Sequence, residues 1–238
     1  RANPKGVGAS QTRTLLDWDE ELTTTCEWEL PSAKWWAKSK LNGAYNGLDR
    51  HVNAGHGDQV AILWEGEPGD GREITYAELL AEVCRTANTL KSYGVEKGDR
   101  VAIYMGMVPG LPVAVLAGAR IGAAHSVVFG GFTSDSLRDR INDAAAKVLI
   151  TGDGAWRRGG IVALKDIADE AMLETPSITK CLVLRRTEHE VAMQVGRDEW
   201  WHEAVPARSP VVAPWSRTAG DLLFLRYTTG TTGTPQGI

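Results

Sequence analysis

Short apolar runs alternate with segments of helical periodicity along most of the chain. The runs are four to six residues long, a length typical of strands, and they lie at 60–65, 100–105, 125–129, 147–150, 181–184 and 222–225. Apolar residues at helical spacing predict helices at 76–93, 113–121, 134–145 and 164–172. Strands that alternate with such helices form right-handed βαβ units. The pattern therefore predicts an α/β fold with a largely parallel sheet flanked by helices.

Local signals fix the bounds of the first of these helices. Thr75 and Glu78 have the spacing of a capping box, in which each residue satisfies a backbone N–H of the other. Gly94 is a typical residue just beyond a helix end, because glycine adopts positive φ without steric penalty. We therefore predict a helix that begins after Thr75 and ends before Gly94.

The first 50 residues have a different character. Residues 1–14 are polar and glycine-rich, and we predict a flexible lead-in. Residues 15–50 contain four tryptophans, Trp18, Trp28, Trp35 and Trp36. This density predicts a strap that packs large rings onto the main body, and an exposed binding surface is the alternative. Residues 186–219, rich in charge and proline, predict an irregular surface excursion.

The composition is that of a soluble globular protein and excludes several classes. Hydrophobic residues make up 43% of the chain and charged residues 24%. The net charge of -4 gives no global field for nucleic acid or an anionic membrane. No apolar run approaches the roughly 20 residues that span a bilayer. We therefore expect neither a nucleic-acid partner nor a membrane.

The cysteines and the termini add two expectations. Cys26, Cys84 and Cys181 are odd in number and far apart, which argues against a disulfide framework or a zinc site and fits a reducing cytoplasm. The chain has no signal peptide or initiator methionine, and it stops inside a motif. We expect a fragment, a processed form or a natural truncation.

A loop rich in threonine and glycine occupies residues 227–237 and follows the run at 222–225, which predicts a buried strand. Glycine lets backbone N–H groups approach a phosphate, and threonine hydroxyls add donors for the same oxygens. A polar turn is the alternative. The spacing of a Walker P-loop is absent.

Two further loops follow predicted strands, where parallel sheets bind ligands. Phe129, Gly130 and Gly131 end one strand, and a tight turn is the simpler interpretation of the glycines. Arg157 and Arg158 lie in a glycine-rich segment and are suited to clamping phosphates, although a solvated basic loop is the alternative. No motif supports a nucleophile, a general acid–base pair or a metal site, so we predict no catalytic and no metal-ligating residue in this chain.

The sequence Y-T-T-G-T-T-G-x-P-x-G at 227–237 resembles the phosphate-binding signature of the AMP-forming adenylating superfamily. Within it, further runs are similar to short-chain acyl-CoA synthetases, AMP-forming acetyl-CoA synthetase in particular. They are I-T-Y-x-E-L at 74–79, G-V-x-x-G-D-R-V-A-I-Y at 94–104, A-R-I-G-A-x-H-S-V-V-F-G-G-F at 119–132, D-G-x-W-R at 153–157 and G-R-D-x-W-W-H at 196–202. The resemblance implies that residues 51–238 are an incomplete N-terminal adenylating domain, preceded by the lead-in and strap at 1–50.

The resemblance also implies site residues and substrates. The ATP phosphates would be bound by the loop residues Thr228, Thr229, Gly230, Thr231, Thr232, Gly233 and Thr234. Contacts to CoA are implied for Phe129, Gly130, Gly131 and Arg157, with Arg158 in place of a second arginine where this chain has Gly160. The substrates of the complete enzyme would be acetate or propionate, ATP with Mg²⁺, and CoA.

The chain departs from the family signature at two charged positions. Thr234 and Gln236 stand where the signature has lysine. A lost charge-assisted contact is worth about 1.5–3 kcal/mol, which lowers a rate by one to two decades. We expect this chain alone to be inactive and to need the remainder of the enzyme. The alternative is a non-catalytic nucleotide- or CoA-binding or assembly module derived from the same fold.

Overall fold

A computed structural model describes residues 4–20, 24–227 and 237 of the chain. The helices in that part are α1 (Pro4–Leu15), α2 (Tyr76–Ser92), α3 (Gly110–Arg120), α4 (Ser134–Ala144), α5 (Leu164–Met172) and α6 (Trp201–Ala204), with π-helical segments at Tyr45–Asp49 and Val52–His56. Within the described residues, none of the helices is both long and apolar enough to cross a membrane.

The strands form one large sheet and several small ones. In chain order they are β1 (Cys26–Glu29), β2 (Ser32–Trp35), β3 (Lys40–Leu41), β4 (Val60–Glu65), β5 (Gly71–Thr75), β6 (Arg100–Met105), β7 (Ala124–Phe129), β8 (Val148–Gly152), β9 (Ala155–Arg157), β10 (Gly160–Val162), β11 (Lys180–Leu184), β12 (Asp198–Trp200), β13 (Arg217–Thr218) and β14 (Phe224–Leu225). Antiparallel pairs join β1 to β2, β4 to β5, β9 to β10 and β3 to β13.

The large sheet has the order β12-β11-β8-β6-β7-β14, and every pair in it is parallel. Side chains of β6 alternate between two apolar clusters. Ile103 packs with residues of α2 and α3 on one face, and Tyr104 packs with residues of α4 and α5 on the other. This arrangement confirms the predicted α/β fold with a parallel sheet flanked by helices.

The predicted bounds of α2 are confirmed. Thr75 is the N-cap, its hydroxyl accepts from Glu78 N, and Glu78 Oε2 accepts from Thr75 N at 2.8 Å. Gly94 follows the helix with a φ of 78°. Both ends of this helix are therefore set by local residues, as the sequence indicates.

The predictions for the first 50 residues are partly wrong. Residues 4–15 form α1, in which Thr12 Oγ1 donates to Gly8 O at 2.8 Å; the flexibility of the lead-in stays a prediction. Trp28 is 60% exposed and Trp35 is also exposed, because β1 and β2 form a two-stranded sheet of their own. Of the four tryptophans in residues 15–50, only Trp18 and Trp36 are half-buried.

The segment at 186–219 is not merely a surface excursion. Its residues Asp198–Trp200 form β12, which pairs with β11 at the edge of the large sheet. The strand is three residues long and carries two carboxylates, so it has no apolar run to reveal it.

The run at 222–225 does not form a buried strand. Only Phe224–Leu225 is a strand, and Phe224 is 48% exposed. As β14 lies at the edge of the sheet, its one neighbour among the described residues is β7.

Two polar contacts attach residues 42–49 to the main body. Asn42 Nδ2 lies within 3.2 Å of the carbonyl oxygens of Ala119 and Arg120, at the end of α3. Asp49 accepts from both Nη atoms of Arg120, at 2.6 and 2.9 Å, and both side chains are largely buried. The domain division at residue 50 stays a prediction.

A buried ion network joins α5 to β12. Lys165 Nζ lies 2.7 Å from Asp169 Oδ2 and 2.9 Å from Asp198 Oδ2, and the side chains of Lys165 and Asp198 are fully buried. Arg197 pairs with both carboxylates. Burial raises the pKa of Asp198, but hydrogen bonds from Arg197, the Gln194 backbone and Lys165 outweigh that effect, so its pKa lies below the usual range. The carboxylate is therefore charged at neutral pH.

Replacing the central cation tests this network. We expect Lys165→Met to lower the free energy of unfolding by about 3–5 kcal/mol, because it leaves a buried carboxylate without one of its cations. Lys40→Met is the matched control, since Lys40 pairs with Glu20 at the surface, where such pairs contribute about 0–1 kcal/mol. Urea denaturation of both variants measures the difference, and equal losses would contradict a buried network.

Candidate functional site

A cleft of about 290 Å³ opens at the carboxyl ends of β6 and β7. Met105 ends β6, Phe129 ends β7, and both residues line the cleft. Ligands of parallel α/β sheets bind beyond the carboxyl ends of the strands. The cleft is therefore the candidate small-molecule site among the described residues.

A cation and an aromatic ring meet at this cleft. Arg157, at the end of β9, places its Cζ atom 5.0 Å from the centre of the Phe129 ring, and both residues are exposed. No carboxylate in the described part of the chain lies within ion-pairing distance of Arg157. The guanidinium is thus available to a phosphate, and a ring face is available to a planar group.

The glycines after β7 allow the chain to pass close to β6. A Cβ on Gly130 would lie 2.8 Å from the Met105 carbonyl oxygen, so only glycine fits without a backbone shift. A Cβ on Gly131 would lie 2.1 Å from Arg157 Nη1, which shows how close the turn and the guanidinium are. The simpler interpretation, a tight turn, is confirmed, and the turn lies against the candidate anion-binding group.

Asp153 holds the base of the β9–β10 hairpin that carries Arg157. Its buried carboxylate accepts from the backbone N–H of Gly154 at 2.6 Å, Arg186 at 2.8 Å and Thr187 at 3.1 Å. These donors come from two chain segments, one after β8 and one after β11. One carboxylate therefore fixes two loops beside the cleft.

Sequence reasoning missed one wall of the cleft. Trp64, at the end of β4, lines it and donates its Nε1–H to the Met107 carbonyl at 2.8 Å. Arg186 lies over the Trp64 ring at 5.0 Å and pairs with Asp70. No local sequence signal indicates contacts between residues that lie about 40 to 120 positions apart in the chain.

The structure places some, but not all, of the predicted CoA-contact residues at the cleft. Phe129, Gly130 and Arg157 line the cleft, and Gly131 lies against Arg157. Arg158 is exposed in a left-handed conformation with a φ of 54° and is not among the lining residues. Of the two predicted arginines, the structure thus places only Arg157 at the cleft, and the role of all five residues in CoA binding stays a prediction.

The predicted phosphate loop, Thr228 to Thr234, lies outside the described residues. The segment before it is described: β14 runs parallel to β7, and Phe224 and Leu225 pair with His125 and Ser126 near the amino end of β7. Tyr227 follows β14 and donates its hydroxyl hydrogen to Asp143 Oδ2 at 2.6 Å.

Among residues 4–20, 24–227 and 237, no group of three or more His, Cys, Asp or Glu side chains could hold a metal ion. His125 is the most perturbed imidazole there. Burial, aided by the charge of Arg217, lowers its pKa to about 4, so it is neutral at pH 7. It stacks on Phe224 at 5.9 Å, which agrees with a packing role.

Comparisons with known proteins identify the family. Residues 48–238 match the family model described as AMP-binding enzyme. Acetyl-coenzyme A synthetases of Streptomyces avermitilis and Rhodopirellula baltica are 54% and 47% identical to the chain; each match covers 100% of this chain and 36% of the relative. The solved acetoacetyl-CoA synthetase from Streptomyces lividans superposes with a TM-score of 0.86 at 26% identity, covering 95% of this chain and 34% of that one.

The sequence match and the structural match agree in extent. Both span nearly all of this chain and about a third of the length of the proteins it matches. The chain therefore belongs to the AMP-binding enzyme family.

Proposed function

We propose that this chain is the N-terminal part of an AMP-forming acetate–CoA ligase. The complete enzyme would join a short carboxylate to the α-phosphate of ATP, giving acyl-AMP and pyrophosphate. The CoA thiol would then displace AMP and form the thioester. The observation that carries the proposal is the 54% identity, over the whole chain, to a protein named acetyl-coenzyme A synthetase.

In this proposal the cleft at the carboxyl edge binds the nucleotide part of CoA. Arg157 supplies a cation that has no carboxylate partner among the described residues, and Phe129 supplies an exposed ring 5.0 Å away. Asp153 keeps the hairpin of Arg157 in place through the loops it fixes. A preorganised cation next to a ring suits a ligand that combines phosphate with a planar base.

The threonine- and glycine-rich loop would bind the β- and γ-phosphates of ATP. Negative charge builds up on the departing pyrophosphate, so hydroxyl and backbone N–H donors stabilise the transition state. Magnesium enters as part of the ATP substrate. The adenine and acyl pockets and the catalytic lysine that the family implies would be supplied by the remainder of the polypeptide.

A cytoplasmic location is part of the proposal. Cys26, Cys84 and Cys181 are all free thiols, as is usual in a reducing compartment.

Exchange of pyrophosphate into ATP tests the activity directly. On the natural full-length polypeptide we expect exchange that depends on acetate, with propionate as a parallel arm that reports the acyl preference. Absence of exchange with every short carboxylate would refute the ligase. Calorimetric binding of CoA in that case would support the non-catalytic module.

Arg157→Ala tests the assignment of the cleft to CoA. Loss of a charge-assisted contact worth about 1.5–3 kcal/mol should raise the KM for CoA about 10- to 150-fold. Pyrophosphate exchange should stay unchanged, because adenylation precedes CoA attack. Arg208→Ala, exposed and outside the cleft lining, is the control for charge removal. Arg158→Ala compares the second arginine, and equal effects at 157 and 158 would show that the cleft geometry does not decide binding.

Thr234→Lys tests whether the loop still serves ATP. Restoring a cation beside the phosphates should raise the exchange rate by one to two decades if position 234 faces them. Thr232→Lys provides a comparison within the same loop, where a bulky cation should displace a hydroxyl donor and lower the rate. An unchanged rate in Thr234→Lys would show that this position no longer contacts phosphate.

A further inference from the structure

A second cleft, of about 280 Å³, lies between α1, β3 and β13. Most of its lining is apolar and comes from Leu16, Trp18, Trp36, Leu41 and Leu223. The polar residues of the lining are Thr12, Ser39, Arg217, Thr218 and Asp221. The cleft thus combines an apolar interior with a small polar spot.

The polar spot contains buried donors that have no acceptor among the residues that the structure describes. Arg217 is only 7% exposed, and its Nε and Nη1 atoms have no hydrogen-bond partner in the described structure. Trp36 Nε1 and Ser39 Oγ are buried there and also lack a partner within the described residues. Buried polar groups are nearly always paired, so three such donors in one cleft indicate a missing acceptor.

The carboxylate in the described lining of the cleft does not fill that role. Asp221 lines the cleft, but it accepts from Thr218 N at 2.9 Å and pairs with Lys97 at 3.3 Å. Burial lowers the pKa of Arg217, and the charge of Asp221 offsets this only in part. An anion bound at the guanidinium would remove this cost of desolvation.

The two clefts lie near opposite ends of the parallel strands, the first near the carboxyl ends and the second near the amino ends. Leu223 lines the second cleft, and its carbonyl oxygen accepts from the backbone N–H of His125 at 3.4 Å, near the amino end of β7; Phe129 at the carboxyl end of β7 lines the first cleft. The four-residue interval corresponds to about 13 Å at the strand rise of about 3.3 Å per residue. A ligand in the second cleft is therefore separate from the proposed CoA site.

The residues that line the second cleft indicate the class of ligand that it could bind. We propose that the second cleft binds a monocarboxylate with an apolar body, its carboxylate held by Arg217, Ser39 and Trp36. One guanidinium with two neutral donors matches a single negative charge. A phosphate group would bring more charge next to Asp221 and leave the apolar wall uncovered. This site goes beyond the proposed ligase reaction and does not depend on it.

Calorimetric titration of the natural full-length polypeptide with hexanoate tests the site. We expect saturable binding that saturating CoA and ATP do not displace. Hexanol, of similar shape and uncharged, should bind at least tenfold more weakly. Arg217→Met should weaken hexanoate binding at least tenfold, whereas Arg208→Met, at an exposed arginine outside the cleft, should bind as the wild type does.

A second variant covers the case in which Arg217→Met fails to fold. Trp36→Phe keeps an aromatic ring in the cleft and removes the indole N–H together with part of the bicyclic ring, so hexanoate binding should weaken severalfold while the protein still folds. The proposal is overturned if hexanoate does not bind, if every variant that folds binds as the wild type does, or if inorganic phosphate competes as well as hexanoate. Pyrophosphate exchange is measured separately, so its loss or survival does not affect this test.

Discussion

The carboxylate of Asp153 is the contact on which the candidate CoA site depends. It is buried where β8 ends and accepts three backbone N–H groups from two loops. One loop begins the hairpin of Arg157, and the other carries Arg186 behind β11. Because a single carboxylate satisfies both loops, neither can move without leaving buried donors unpaired. Asp153, which does not line the cleft, therefore fixes the hairpin that carries Arg157.

The sequence predicts the parts of the fold that local chemistry determines. Strands β6 and β8 are buried on both faces and appear as apolar runs, and the capping box of Thr75 and Glu78 starts α2 as expected. Strand β12 could not be predicted in this way. Its Asp198 is placed in the sheet by Lys165 and Arg197, so the strand depends on an ion network between distant segments.

In the candidate site, too, the sequence predicts residues in local motifs but not residues placed by distant contacts. Phe129, Gly130 and Arg157 were recognised because they lie in short motifs after strands. Trp64 was missed, since its contact with Met107 spans 43 residues and no motif records it. Arg217 was missed for a different reason. A lone arginine carries no sequence signal, and Arg217 is distinguished only by being buried with two side-chain nitrogens that have no partner in the described part of the chain.

Strand β14 has a consequence for how the polypeptide behaves in solution. In the described part of the chain it pairs on one side only, and Leu222, Leu223 and Phe224 next to that free edge are 40–48% exposed. An unpaired edge with apolar side chains is a template for strand addition between molecules. A recombinant product limited to these 238 residues should therefore self-associate through β14 at high concentration, and a charged residue at position 224 should restore a monodisperse sample.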